Sequence, residues 1–137
     1  MTTFKLSAAT QRTSGFAEQA IADTASHTGD AIDNATNKDL YLSVEALYQY
    51  ATAPTAAKTV ALYLLYSFDG TNYEEVHARA LIASLSPAAD TDAHRRVLVA
   101  SRQLLPFAFK LHAINVDTGQ QITLTLNVHT HNEEAVT

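Results

Sequence analysis

The feature that most constrains this sequence is a strict alternation of apolar and polar residues between positions 121 and 129. The even positions are all large and aliphatic: Ile122, Leu124, Leu126 and Val128. Side chains of a β-strand point alternately to its two faces, so this period of two predicts a strand with one face in a core. In a helix the same four residues would be scattered around the axis.

The same period recurs upstream, and turn residues separate the segments. Asp69-Gly70 follows an aromatic-rich segment and predicts a tight hairpin turn, because glycine accepts a positive φ. Pro87 and Gly119 mark two further breaks. We therefore predict six strands from Asp39 to about His131, at residues 39–50, 59–68, 73–82, 94–101, 107–114 and 121–131.

Short strands at this spacing, without a long helical period, indicate an all-β protein. The expected fold is an antiparallel β-sandwich or jelly roll formed by residues 39–137. A chain of 137 residues is the size of one domain.

Residues 1–38 have a different composition, rich in Ala, Thr, Ser, Asp and Asn, with no periodic apolar face. They cannot form a core of their own, so we expect an N-terminal arm, extended or partly helical. Either it is a loose segment or it docks on a neighbouring subunit. In the second case its isolated apolar residues would be the anchors, chiefly Phe4, Phe16, Ile21 and Ile32.

The composition limits the classes of partner. Charged residues make up only 17% of the chain, and the net charge is −5. Such a surface does not favour direct binding to nucleic acid, which needs clustered Lys and Arg, and fits a protein covered by protein partners. We find no apolar segment long enough for a membrane span or a signal peptide.

Motifs of catalysis are not apparent. The chain has zero Cys, which removes disulfides, thiolate metal sites and a Cys nucleophile. It carries no Gly-x-Ser-x-Gly, phosphate-binding loop or His-Glu-x-x-His. We therefore expect a protein that is not an enzyme and uses no cofactor.

The one candidate for metal binding is a set of histidines. His129 and His131 share the outward face of the last strand, and His112 lies on the preceding strand. Three neutral imidazoles could hold zinc. The alternative is that these histidines are solvated or lie at an interface, and the absence of a recognised ligand spacing favours it.

Two further features suggest contacts between subunits. Tyr41, Tyr63 and Leu65 occupy the faces opposite the expected core, where together they would form an apolar patch. Arg95 and Arg96 belong to the main positive cluster, and one of them could donate an ion pair across an interface. An ordinary solvated arginine is the alternative.

Several segments resemble small virion proteins of tailed bacteriophages, of the capsid decoration (cement) kind. The similarity covers about residues 39–134, apart from the loop around Pro87. It is carried by Asp39-Leu-Tyr-Leu-Ser-Val-Glu45, Leu62-Tyr-Leu-Leu-Tyr-Ser-Phe-Asp-Gly-Thr-Asn-Tyr73, Leu105-Pro-Phe-Ala-Phe-Lys-Leu111, Asn115-Val-Asp-Thr-Gly-Gln120 and Asn132-Glu-Glu134. The chain has Pro106-Phe107-Ala108 where the family would have Pro-Gly before the Phe-Lys-Leu strand.

The resemblance implies a β-sandwich subunit made in the host cytoplasm and carried on the outer capsid surface. Its partners would be the major capsid protein and other copies of itself, usually as a trimer. The rival classes are a tail or baseplate module that is structural or binds host glycans, an internal plug or tail-completion protein, and a small zinc-dependent hydrolase.

Overall fold

The computed structural model describes residues 3–55 and 58–136, and of Phe4 and Val136 only the backbone. The described residues form eleven strands and one short 3₁₀ turn at Ala78–Ala80. The strands are β1 Thr3–Leu6, β2 Thr10–Arg12, β3 Gln19–Ile21, β4 Ser26–Thr28, β5 Tyr41–Tyr50, β6 Val60–Ser67, β7 Leu81–Leu85, β8 His94–Gln103, β9 Ala108–Asn115, β10 Ile122–His131 and β11 Glu133–Val136.

All strand pairs are antiparallel, and the predicted all-β sandwich is confirmed. One sheet has the order β2-β10-β5-β8, with β3 also paired to β10, and the other has the order β4-β9-β6-β7. The chain crosses repeatedly between the two sheets. β1 and β11 form a separate two-stranded sheet.

The pairs are nested along the sequence. β6 pairs with β7, β5 with β8, β4 with β9, β3 and β2 with β10, and β1 with β11. The chain is thus one long hairpin with its tip between β6 and β7. Two further pairings, β10 with β5 and β9 with β6, place strands from different nested pairs side by side and so complete the two sheets.

One predicted strand is misplaced. The return strand was expected at residues 73–82, directly after the turn, but β7 begins at Leu81 and pairs only with Val60–Tyr63. At the end of β6 nearest the turn, the free edge of β6 bonds to the single residue Glu74 and not to a strand. Its N–H donates to the Tyr66 carbonyl at 2.9 Å and its carboxylate accepts the Tyr66 N–H at 2.9 Å. These two bonds occupy the β6 edge there, so pairing with β7 starts further along.

The N-terminal segment is part of the sandwich. Phe16, Ile21 and Ile32, expected as anchors on a neighbouring subunit, are 1%, 2% and 2% exposed in this chain's own core, so that expectation is wrong for all three. Phe4 lies in β1, but its side chain is outside the described part of the chain. The expected boundary between residues 38 and 39 falls inside one packed unit.

Polar contacts tie the same segment to the sheets. The Arg12 guanidinium donates to the Asp33 carbonyl at 2.6 Å and lies 3.9 Å from the Asp39 carboxylate. Buried Asn115, on β9, donates its side-chain amide to the carbonyls of Ile21 and Gln120 at 3.1 and 2.8 Å. These bonds tie the end of β3 and the residue two positions before β10 to the middle of the sandwich.

The described residues include no helix that is both long and apolar enough to cross a bilayer.

Placing Phe16 in the core generates a stability prediction. Phe16→Ala should lower the free energy of unfolding by about 3–5 kcal/mol, because a buried aromatic ring is replaced by a cavity. Urea denaturation followed by tyrosine fluorescence measures this. Phe68→Ala, which truncates an exposed ring, is the matched control and should change stability little. Equal stability of the two variants would contradict burial of the N-terminal segment.

Candidate functional site: an apolar surface on two tied loops

The structure does not bring the predicted metal ligands together. His129 and His131 lie on β10 in one sheet, whereas His112 lies on β9 in the other. The expectation that His112 is near the other two is wrong, because β9 and β10 are adjacent in sequence but not in a sheet. The His112 Nδ1 is 2.7 Å from the Thr28 hydroxyl, and burial lowers the pKa of His112. In residues 3–55 and 58–136 no three potential ligands cluster.

The predicted apolar patch of Tyr41, Tyr63 and Leu65 does not form. Tyr41 lies on β5 in one sheet, and Tyr63 and Leu65 lie on β6 in the other. Leu65 is only 5% exposed and so is buried by its own chain.

Tyr41 instead belongs to a cluster at the end of β10. Its ring stacks on the His131 ring at 5.5 Å, and its hydroxyl donates to the Glu133 carboxylate at 2.6 Å. This hydrogen bond raises the pKa of Tyr41, because ionising the phenol would remove the donated proton. The cluster fixes the point where the chain passes from β10 into β11.

The two arginines predicted to lie at an interface differ in their contacts within the chain. Arg95 donates to the Glu45 carboxylate at 2.9 Å within the chain, and Asn127 donates to the same oxygen at 3.1 Å. The Asn127 amide, followed by Arg95, lowers the pKa of Glu45. Arg96 is exposed and forms no salt bridge with the described residues.

Among the described residues, the most exposed large apolar side chain is Phe68, at the end of the sandwich where β6 ends and β9 begins. Phe68, Leu105 and Phe107 form an apolar surface there, which we call the tip surface. Phe68 is 88% exposed and Leu105 50% exposed. The Phe68 and Phe107 rings are 5.3 Å apart, and Phe107 also meets the Tyr66 ring edge-on at 6.3 Å.

A tight turn holds Phe68. The carboxylate of Asp69, the next residue, accepts the N–H groups of Thr71 and Asn72 and the Asn72 side-chain amide, each at 2.8 Å. Gly70 has a φ of 81°, which favours glycine, and donates its N–H to the Ser67 hydroxyl at 2.9 Å. The donors of Asn72, followed by that of Thr71, hold the pKa of Asp69 well below its usual range.

A buried amide holds the loop of Leu105. Asn34 has no exposed surface, and its Nδ2 donates to the carbonyls of Leu105 at 2.9 Å and Asp39 at 3.0 Å. Its Oδ1 accepts the Asp39 N–H at 2.9 Å. The Leu105 N–H donates to the Tyr66 hydroxyl at 3.0 Å. Both backbone polar groups of Leu105 are therefore bonded while its side chain stays half exposed.

The tip surface combines exposed apolar side chains with loops that hydrogen bonds already fix. Exposed apolar groups gain free energy when a partner covers them. Loops that are already fixed by hydrogen bonds lose little conformational entropy on binding. Sequence analysis missed all three residues. The available signal was Phe68, a large apolar residue directly before Asp-Gly, and the Leu105-Pro106-Phe107 run, where apolar residues occur within turns.

A shallow cleft lies beside β5, β8 and β10. His94 is one of its walls, with its ring stacked on Tyr48 at 5.3 Å. The His94 Nε2 is 2.7 Å from the Asp90 carboxylate, and this bond lowers the pKa of Asp90. The remaining lining combines the polar residues Glu18, Gln49, Thr123 and Thr125 with Leu47 and Ala93.

Comparisons with known proteins do not assign the chain to a family. No protein-family model matches the chain, and no curated protein matches it. Among solved structures, the chain is similar to one described as the structure of infectious bursal disease virus Gx strain. The identity is 10% and the TM-score 0.38, over 96% of this chain and 32% of the other. The chain thus spans about one third of the length of that viral protein.

The Asp69 turn generates a prediction about pH. Because the folded-state pKa of Asp69 is depressed, its stabilisation of the turn is complete above the unfolded-state pKa and is lost as pH falls through the folded-state pKa. The amide chemical shifts of Gly70, Thr71 and Asn72 should therefore stay constant until well below the usual aspartate range. Asp69→Asn should shift these signals already at neutral pH, and signals that move at an ordinary aspartate pKa would contradict the assignment.

Proposed function

We propose that this chain is a non-enzymatic structural subunit of a virus particle, of the phage capsid decoration (cement) kind. The observation that carries the proposal is the tip surface, in which Phe68 and Leu105 are exposed on loops fixed by hydrogen bonds. A soluble monomer gains nothing from such exposure, whereas a subunit that docks on an assembled shell gains the burial of these side chains. The sequence resemblance to decoration proteins suggests the class of partner.

We infer that the sandwich is a jelly roll. Its nested pairs β3–β10, β4–β9, β5–β8 and β6–β7 are those of an eight-stranded hairpin rolled into two four-stranded layers. Jelly rolls occur in viral capsid and lectin domains. Because one fold serves many functions, this topology fits a virion role without defining it.

Stabilisation of a shell would follow by mass action. A subunit that binds the assembled lattice and not its free subunits makes the lattice more resistant to heat and to internal pressure. Many copies on one particle add their effects even where each contact is weak. In this proposal the tip surface binds the major capsid protein on the outer face of the shell. It takes the role that the sequence had suggested for an N-terminal arm.

The proposal is tested by comparing particles that carry the chain with particles stripped of it. We expect the carrying particles to release their genome at a higher temperature, measured by the fluorescence of a DNA dye during heating. Adding back purified Phe68→Ser or Leu105→Ser protein should restore less of this difference than adding back the unmodified chain, since each variant removes apolar area from the contact.

Val97→Ser is the matched control, because Val97 is also strongly exposed but lies on β8 outside the tip surface. It should restore heat resistance fully. An unchanged release temperature on stripping would overturn the cement role. Equal effects of Val97→Ser and Phe68→Ser would overturn the tip surface as the contact. Binding to host-surface polysaccharide by the isolated chain, with none to shells, would favour the tail or baseplate alternative, with the cleft beside His94 as the candidate binding site.

A further inference from the structure

The sheet formed by β1 and β11, which we call the outer ribbon, stands apart from the two layers of the sandwich. No third strand among the described residues pairs with it. An isolated two-stranded ribbon is marginally stable in water, because ordering the backbone costs about 1–2 kcal/mol per residue and half of its polar groups face solvent. All side chains described in it are exposed: Thr3, Lys5, Leu6, Glu133, Glu134 and Ala135.

In the part of the chain that the structure describes, no strand pairs with either long edge of the outer ribbon. The Ser7 N–H donates to the Asn132 carbonyl at 2.6 Å, which identifies a hydrogen-bonded pair next to Leu6 and Glu133. Bonded and non-bonded pairs alternate in an antiparallel ladder, so Lys5 and Glu134 are the next bonded pair. The N–H and C=O groups of Leu6, Glu133 and Ala135 therefore point away from the ribbon. In agreement, the Glu133 N–H donates to the side-chain oxygen of Asn132 at 2.9 Å rather than to β1.

We propose that the outer ribbon joins copies of this chain by strand addition, with β1 of one copy pairing antiparallel to β11 of the next. The added strand continues the alternation of direction that β1 and β11 already have. It also gives partners to the outward backbone groups of both edges, which supplies most of the affinity in this mode of recognition.

The charge pattern selects this pairing. Within one chain, the Lys5 ammonium lies 3.2 Å from the Glu134 carboxylate. If the next copy adds in the same register, its Lys5 lies on the other side of Glu134, and the charges alternate along the ladder. Pairing β11 with β11 would instead bring Glu133 and Glu134 of two copies together, and like charges across strands destabilise a sheet.

Joining β1 to β11 is a head-to-tail contact, so a closed ring results where the rotation between copies closes. The contact is separate from the tip surface and requires no virus particle. The inference therefore stands or falls independently of the proposed docking function.

Substitution of Ala135 tests the edge directly. Proline at this position removes an N–H that points outward, which an edge strand tolerates. Sedimentation velocity of the full chain at rising concentration should show association of the unmodified protein and of Ala135→Ser. Ala135→Pro should associate at least about tenfold more weakly, since loss of one such bond is worth roughly 1.4 kcal/mol. An unchanged thermal melt shows that the sandwich itself is intact.

Charge exchange tests the ladder. Lys5→Glu and Glu134→Lys should each weaken association, and the double variant should restore it, because the alternation is then re-formed with opposite sign. Phe68→Ser should leave association unchanged. The proposal is overturned by a chain that stays single at all concentrations, by Ala135→Pro associating as strongly as Ala135→Ser, or by a double charge variant that does not recover.

Discussion

The pairing of β10 with β5 is the interaction on which the rest of the molecule depends. It runs without a break for ten residues, Ile122–His131 against Tyr50–Tyr41. On the other side of β10 lie β2 and β3. The most regular strand of the sequence is therefore a central strand, and the N-terminal segment supplies the strands on its second edge. Because side chains alternate between faces, this one register places the apolar positions of both strands in the core. It also sends Glu45 and Asn127 to the outer face, where they hydrogen-bond.

The same constraint explains which parts of the fold the sequence predicted. β5 and β10 alternate cleanly, and their extents agree with the prediction to within two residues, because one buried face imposes the pattern. β7 was misplaced because Glu74 alone bonds both backbone groups of Tyr66, where a neighbouring strand was expected. A contact made by one polar residue leaves no periodic pattern in the sequence. The segment before Asp39 was misjudged because β2, β3 and β4 have three residues each, too short to show a period of two.

The site was harder to predict than the fold, and the reason is spatial. Histidines and tyrosines on successive segments were grouped because they are close in sequence, but the chain crosses between layers and separates them. His112 and Tyr63 thus lie in a different sheet from His129 and Tyr41. The tip surface shows the opposite case. Phe68 and Leu105 are 37 positions apart in the sequence, and the pairing of Ser67 with Ala108 brings their loops side by side. Neither the buried role of Asn34 nor its hold on Leu105 is visible from local residue pattern.

The nested order of the pairs has a kinetic consequence. Each successive pair encloses the previous one, from Tyr63 with Leu81 at the inside to Ile21 with Ile122 further out. Contacts so distant along the chain carry a large loop-closure entropy until the inner pairs form, and proteins dominated by them fold slowly. Folding would therefore proceed outward from the β6–β7 hairpin, leaving β10 without its N-terminal neighbours until late. Until β2 and β3 arrive, an apolar ten-residue strand has one free edge in solution, and during that interval the chain is most exposed to misassembly with other unfolded copies.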